Sequence, residues 1–220
     1  LGTRRELAGS ADSFIRSVSY DAAAFLTNVS NEIVPYNGGR FYFTAGKARR
    51  TGAELGATVR TVGGWQLRGA FTLMNAEYTT YIVDSVHYAR PGHVADYSGN
   101  QVVGVPGTTL NAPLSWAPHA LGGMRLQAGM QNTGGYFVND ANTVKVQGNT
   151  VFSAGVLTDR AYDIGGGIGV RGFAMVSNLT DTRFIGSAFL NPDIVGGVPV
   201  AYEPGLPRQV LLSLSFQRLK

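Results

Sequence analysis

Long runs of apolar–polar alternation constrain this chain more than any other feature. Trp65, Leu67, Phe71 and Leu73 oppose Gln66, Arg68 and Thr72. Leu110, Ala112, Leu114 and Trp116 oppose Thr109, Asn111, Pro113 and Ser115. Met124, Leu126, Ala128 and Met130 oppose Arg125, Gln127, Gly129 and Gln131. Successive side chains of a strand point to opposite faces, so period two predicts strands with one apolar and one polar face. The chain closes the same way. Val210, Leu212, Leu214 and Phe216 share a face backed by Gln209, Ser213, Ser215 and Gln217, with Leu211 the exception. The segment from Phe14 to about Ser30 alternates too, well beyond the usual strand of about five to six residues.

Further strands are expected over Leu1–Leu7, Ala48–Thr61, Thr150–Thr158 and Ile168–Asn178, about nine in all. Turns near Gly9, Gly63, Gly122 and Gly165 are short. The connections Asn31–Lys47, Val83–Val103, Tyr136–Asn149 and the Gly/Pro-rich span before Tyr202 are long. Short and long connections alternate, as in an antiparallel up-and-down membrane barrel. Both tryptophans fall on the apolar face beside a short turn, where an interfacial aromatic girdle sits. Leu67, Phe71, Leu110, Leu114, Leu126, Leu212 and Leu214 are therefore expected to face lipid. One register can be stated in advance. Apolar residues are odd-numbered on both sides of Gly63-Gly64, and directly paired residues share a face. An odd-numbered loop is required, and Val62 to Gly64 satisfies it.

Composition agrees. No run approaches the roughly 18 apolar residues of a membrane helix. The mean hydropathy of +0.02 suits alternating barrel strands as well as a soluble chain. The 220 residues include no Cys, which excludes disulfides and thiolate metal sites. The net charge of +4 is scattered, so nucleic acid is not an expected partner. The chain starts at Leu1, in what reads as mid-strand, so it is taken as a piece of a longer barrel.

Four segments then carry a family resemblance. Phe173-Ala174-Met175-Val176-Ser177-Asn178-Leu179-Thr180-Asp181, a long loop, Tyr202-Glu203-Pro204-Gly205-Leu206-Pro207-Arg208 and the alternating last strand resemble the C-terminal end of TonB-dependent outer-membrane receptors. Thr180 stands where the family usually has Phe. Asn31-Glu32-Ile33-Val34, the run Ala45-Gly46-Lys47 to Gly52-Ala53-Glu54, and Tyr136-Phe137-Val138-Asn139-Asp140-Ala141-Asn142-Thr143 are similar to segments of the same family. The resemblance implies an all-β fold: the C-terminal part of a plugged transmembrane barrel of about 22 strands. Residues 1–220 would be barrel, with the N-terminal plug and earlier strands absent. It implies energy-coupled uptake of a ferric siderophore or similar iron chelate across the outer membrane of a Gram-negative bacterium. The partners implied are the ferric chelate, outer-membrane lipid, and an inner-membrane TonB complex reached through the absent N-terminal region. A porin-like passive channel and a soluble β-barrel binding module remain the alternatives. No catalytic set is visible, so no enzyme is expected, and no cofactor or metal.

Aromatic and basic side chains beside the long loops, Tyr36, Arg40, Tyr42, Tyr88, Arg90 and Tyr136, are the candidate ligand contacts at the outer mouth. Inward Arg50, Glu54, Arg60, Arg68 and Arg125 have two readings. They are hydrated charges of a polar lumen, or they line the route of an anionic chelate or grip the plug. Plug contact suits Arg60, Arg68 and Arg125, which lie near short turns. His87, His93 and Asp96 share a loop, and an exposed polar loop is the reading preferred over a metal site.

Overall fold

The computed structural model describes residues 1–36, 41–83, 94–190 and 200–219. Nine long strands follow one another in it: β1 (Gly2–Ala8), β2 (Ile15–Tyr36), β3 (Phe41–Thr61), β4 (Trp65–Thr80), β5 (Thr108–Trp116), β6 (Met124–Thr133), β7 (Asn149–Thr158), β8 (Ile168–Ser177) and β9 (Gln209–Arg218). Each pairs antiparallel with the next in chain order. The result is a single all-β meander, as the alternation predicts. Short turns join β1 to β2, β3 to β4, β5 to β6 and β7 to β8, all at one end.

Register places the two residue sets on separate faces. One cross-strand row runs Leu7–Val18–Val59–Leu67–Leu114–Ala128. Another runs Trp116–Leu126–Val156–Ala174–Leu212. Large apolar side chains here stay open: Leu67, Leu126, Leu212 and Leu214 are 47%, 42%, 71% and 71% exposed. A soluble protein buries such a surface, so an apolar face of this extent needs an apolar surrounding. The opposite face carries Ser19, Thr58, Arg68, Ser115, Gln127 and Ser153.

The hairpin at Gly63-Gly64 has the expected register. Arg60 pairs with Gln66 and Thr58 with Arg68, leaving Val62, Gly63 and Gly64 as the loop. Gly64 adopts φ of 81°, where a Cβ would lie 2.6 Å from the Ala117 carbonyl oxygen. The Trp65 N–H donates to Thr61 Oγ1 at 3.1 Å. Pro113 also fits. It pairs with Gly129 on β6, while the ladder to β4 lapses between Leu67–Leu114 and Ala70–Asn111, where proline has no N–H to give.

One boundary is corrected. Asn31–Lys47 is not a loop, because β2 continues to Tyr36 and β3 begins at Phe41, with Val34 paired to Phe43 and Pro35 to Tyr42. The β-branched and aromatic residues there (Ile33, Val34, Phe41, Phe43) favour a pleated backbone, and a hairpin already zipped below extends at little further loop entropy.

Candidate functional site

The interior of this chain lies under its long connections, not between two sheets. Ala48, Ala76 and Tyr78 project from the polar face at the far ends of β3 and β4 and are buried, together with Tyr81, Val83 and Val102. Tyr78 and Tyr81 meet with ring centroids 4.6 Å apart, and Tyr97 abuts Tyr81 at 5.3 Å. Their hydroxyls converge on one carboxylate from another connection. Tyr78 donates to Asp140 Oδ1 at 3.3 Å and Tyr81 to Oδ2 at 3.1 Å, while Asn100 Nδ2 donates to the Asp140 carbonyl at 2.7 Å. Burial pushes the Asp140 carboxyl above its ordinary range, and the two tyrosine hydroxyls partly oppose this. Beside it Asn142 clasps Gln101 in both directions: Gln101 N–H donates to Asn142 Oδ1 at 2.7 Å, and Asn142 Nδ2 to the Gln101 carbonyl at 3.0 Å. Asn142 holds φ of 53°, which asparagine tolerates better than most residues. The β4–β5 and β6–β7 connections are thus one stitched layer.

The β8–β9 connection joins that layer. Its hairpin, Ile185–Leu190 with Val200–Pro204, packs Val200, Ile185 and Ala188 against Val138 and Val146. Its base is tied by the Asn-Leu-x-Asp segment. Asn178 is buried at φ of 48°, donates to the carbonyls of Thr182 at 2.9 Å and Leu206 at 3.0 Å, and accepts the Thr182 N–H at 2.9 Å. Asp181 accepts the Arg208 N–H at 2.9 Å, just before β9 begins. Gly205 passes under Phe184, where a Cβ would come within 2.3 Å of the ring. The motif that resembled the family is a backbone clamp between β8 and β9.

Between this layer and the polar face lies a half-open cavity of about 770 Å³. Its floor includes Thr72, Thr109, Asn111, Gln131, Thr133 and Asn149, and its roof Tyr136, Phe184, Ile185 and Glu203. The volume falls within the ~300–1,000 Å³ typical of small-molecule sites, and so does the mixture of apolar walls with a few polar groups. It can enclose a compact organic ligand and offer it amides, hydroxyls and an aromatic edge.

Of the candidate mouth residues, Tyr136 lines this cavity. Tyr36 and Tyr42 lie at the far end of the β2–β3 hairpin. Tyr36 lies thirteen positions along β2 from Ala23, which shares the cavity's ladder level through Glu54, Thr72 and Thr109, roughly 40 Å of strand. Arg40, Tyr88 and Arg90 fall outside the described residues, as do His87 and His93. Asp96 accepts the Ser98 N–H at 2.9 Å, and its hydrogen bonds from Ser98 hold its carboxyl below the usual range.

The register puts Arg50, Glu54, Arg60, Arg68 and Arg125 all on the polar face. Arg50 is ion-paired to Glu32 at 2.5 Å, and Arg125 to Asp159 at 2.9 Å near the short β7–β8 turn. Arg68 borders a shallow depression with Gln127 and Ser153. None of the five lines the cavity. Sequence reading assigned no role to Asp140, Asn142 or Asn178, although all three stand in the segments that carried the resemblance. Among the described residues four non-glycine residues take positive φ, and Asn142, Asn178 and Asp181 are three of them. Clustered Asn and Asp at the ends of alternating runs was the available signal.

Comparison with known proteins follows the same outline. The family profile described as TonB dependent receptor-like, beta-barrel matches residues 6–179. The ferrichrome outer membrane transporter/phage receptor of Escherichia coli (strain K12) is 29% identical over 169 residues, 74% of this chain and 20% of that protein. The crystal structure of the ferric yersiniabactin uptake receptor FyuA from Yersinia pestis superposes with a TM-score of 0.68 at 20% identity, covering 97% of this chain and 28% of that one. The siderophore receptor PiuA from Acinetobacter baumannii gives a TM-score of 0.66 at 20% identity, covering 90% of this chain and 26% of that one. The chain therefore spans between a fifth and three tenths of the length of these relatives. The profile match covers well over half of the chain, and this chain belongs to the TonB-dependent receptor-like β-barrel family, whose members are transporters and receptors of the Gram-negative outer membrane and not enzymes.

Proposed function

We propose that these residues are part of a receptor that takes up a ferric siderophore or a similar iron chelate across the outer membrane, with coupling to an inner-membrane TonB complex. The observation that carries this reading is the cavity beneath the stitched connections, on the polar face of a sheet whose other face is apolar and exposed. A solute entering there is shielded from the apolar face and held by groups on several strands at once. The family membership and the names of the relatives, a ferrichrome transporter and ferric chelate receptors, support an iron chelate as the cargo.

In this reading Tyr136 is a ligand contact, and Tyr36, Arg40, Tyr42, Tyr88 and Arg90 meet the chelate earlier, at the outer mouth. Arg60, Glu54 and Arg68, which make no side-chain hydrogen bond or ion pair among the described residues, face a plug carried by another part of the protein. Arg50 and Arg125 already have carboxylate partners and serve the wall itself. The apolar face meets outer-membrane lipid, and the TonB contact lies outside these residues.

The test is uptake of radioactive iron chelates by cells whose only iron receptor is the intact protein. Uptake that stops when the proton-motive force is collapsed supports the proposal. Uptake that continues unchanged points to a passive channel and overturns it.

A further inference from the structure

We propose that the cavity selects a neutral, hydrogen-bonding ferric chelate of the hydroxamate type, with Asn111 and Gln131 as its specificity-determining contacts, and that Glu203 turns away polyanionic chelates. This rests on the uptake reading above and narrows its substrate class.

The floor of the cavity is built as two neighbouring cross-strand rows. One row is Thr72–Thr109–Thr133–Asn149, each directly paired with the next. The row below it sets Asn111 directly against Gln131. Neither amide makes a side-chain hydrogen bond among the described residues, although Asn132, one position along β6, makes two. A primary amide offers two donors and an acceptor. Two of them side by side suit a ligand that presents carbonyl-type oxygens together with N–H or O–H groups. A hydroxamate chelate has that surface. Its ligand charge cancels that of the ferric ion, so nothing in the site has to neutralise it.

The charge distribution points the same way. Among the described residues that line the cavity there is no Lys, Arg or His, and the one charged group is the Glu203 carboxylate of the roof. The arginines on the same face are placed elsewhere. Arg50 and Arg125 are held by Glu32 and Asp159, and Arg68 borders a separate depression of about 110 Å³. A catecholate or carboxylate chelate of iron keeps net negative charge. Beside Glu203, in a half-enclosed space without a counter-cation, it would meet repulsion with no offset. Tyr136 and Phe184 give the apolar body of a neutral ligand a surface to lie on.

The experiment uses the intact receptor, purified and checked for barrel assembly by heat-modifiable gel mobility. A ferric trihydroxamate, a ferric tricatecholate and ferric citrate are titrated over a range of salt. The expected result is that the trihydroxamate binds with an affinity insensitive to salt. Asn111→Leu and Gln131→Leu each weaken it about tenfold, the loss of roughly one good hydrogen bond. Glu203→Gln raises affinity for the tricatecholate relative to that for the trihydroxamate. Because Glu203 is exposed on the hairpin surface, this variant gives a result even if an amide variant fails to assemble. Tighter binding of an anionic chelate that falls with salt, or unchanged hydroxamate affinity in both leucine variants, overturns the charge selection and leaves the uptake reading standing. No binding and no uptake of any iron chelate overturns both.

Discussion

Trp65 and Trp116 are direct cross-strand partners, and their rings stack with centroids 5.1 Å apart and planes 15° from parallel. Trp116 Nε1 also donates to the Gly63 carbonyl at 3.1 Å, so the pair closes the β3–β4 turn onto β5. An aromatic pair of this kind contributes about 0.5–1.5 kcal/mol beyond its buried area. Trp116→Phe keeps the stack and removes the hydrogen bond; Trp116→Ala removes both. Urea unfolding of the intact receptor in detergent should order them wild type, Phe, Ala. Equal stability of Ala and wild type would show that the pair does not anchor this end of the sheet.

Ala128 and Gln127 are neighbours on β6 that face opposite ways, Ala128 beside Leu114 and Gln127 beside Ser115. Arginine at Ala128 should cost about 2–4 kcal/mol near the bilayer midplane, whereas arginine at Gln127 meets the polar face and should cost far less. Refolding of the two variants into lipid vesicles compares them within one strand. Similar costs would mean that the exposed apolar face does not meet lipid.

Asn178→Ala leaves the carbonyls of Thr182 and Leu206 and the N–H of Thr182 without their partner, at a residue held at φ of 48°. The combined loss is about 2–4 kcal/mol. It should appear locally, as protease cleavage in the arms Ile185–Leu190 and Val200–Pro204 at concentrations that spare the wild type. Asn178→Asp keeps the acceptor and loses the donors, so it should fall between the two.

Asp140 gives the connection layer a pH dependence with a definite sign. Its carboxyl is raised above the ordinary range of an aspartate, first of all by burial. The folded value lies above the unfolded one, so the protonated form favours the docked state. That contribution is complete below the unfolded value and is lost as pH rises through the raised one. Hydrogen exchange at Asn100–Gly104, corrected for intrinsic rates, should therefore show greater protection on the acid side of this transition. Asp140→Asn should flatten the profile. A wild-type profile already flat across that range would exclude the effect.

Much of the wall was legible from the amino-acid order. Period two is a local property, and every residue of a strand obeys it whatever lies beside the strand. The two faces, the placement of Trp65 and Trp116 on the apolar one, and the odd length required of the loop at Gly63-Gly64 follow from parity along single segments; its three-residue form, Val62–Gly64, is the one the register shows. The extension of β2 and β3 past Asn31 and Lys47 did not, because Gly and aromatic residues there signal a loop locally while the hairpin beneath them continues to zip.

What tertiary structure alone decided is where distant polar groups meet. Tyr78 and Asp140 are 62 residues apart, and Asn178 and Leu206 are 28 apart. No periodicity reports such contacts, since they depend on how three connections fold over one face. The candidate site shows the same division. Sequence identified which arginines share the polar face, but only the tertiary structure shows that Arg50 is paired with Glu32 of β2, that Arg125 is paired with Asp159 beside the short β7–β8 turn, and that the cavity is floored by Asn111 and Gln131. Alternation sorts side chains between two surfaces; the burial of the loops then chooses which part of the polar surface is enclosed.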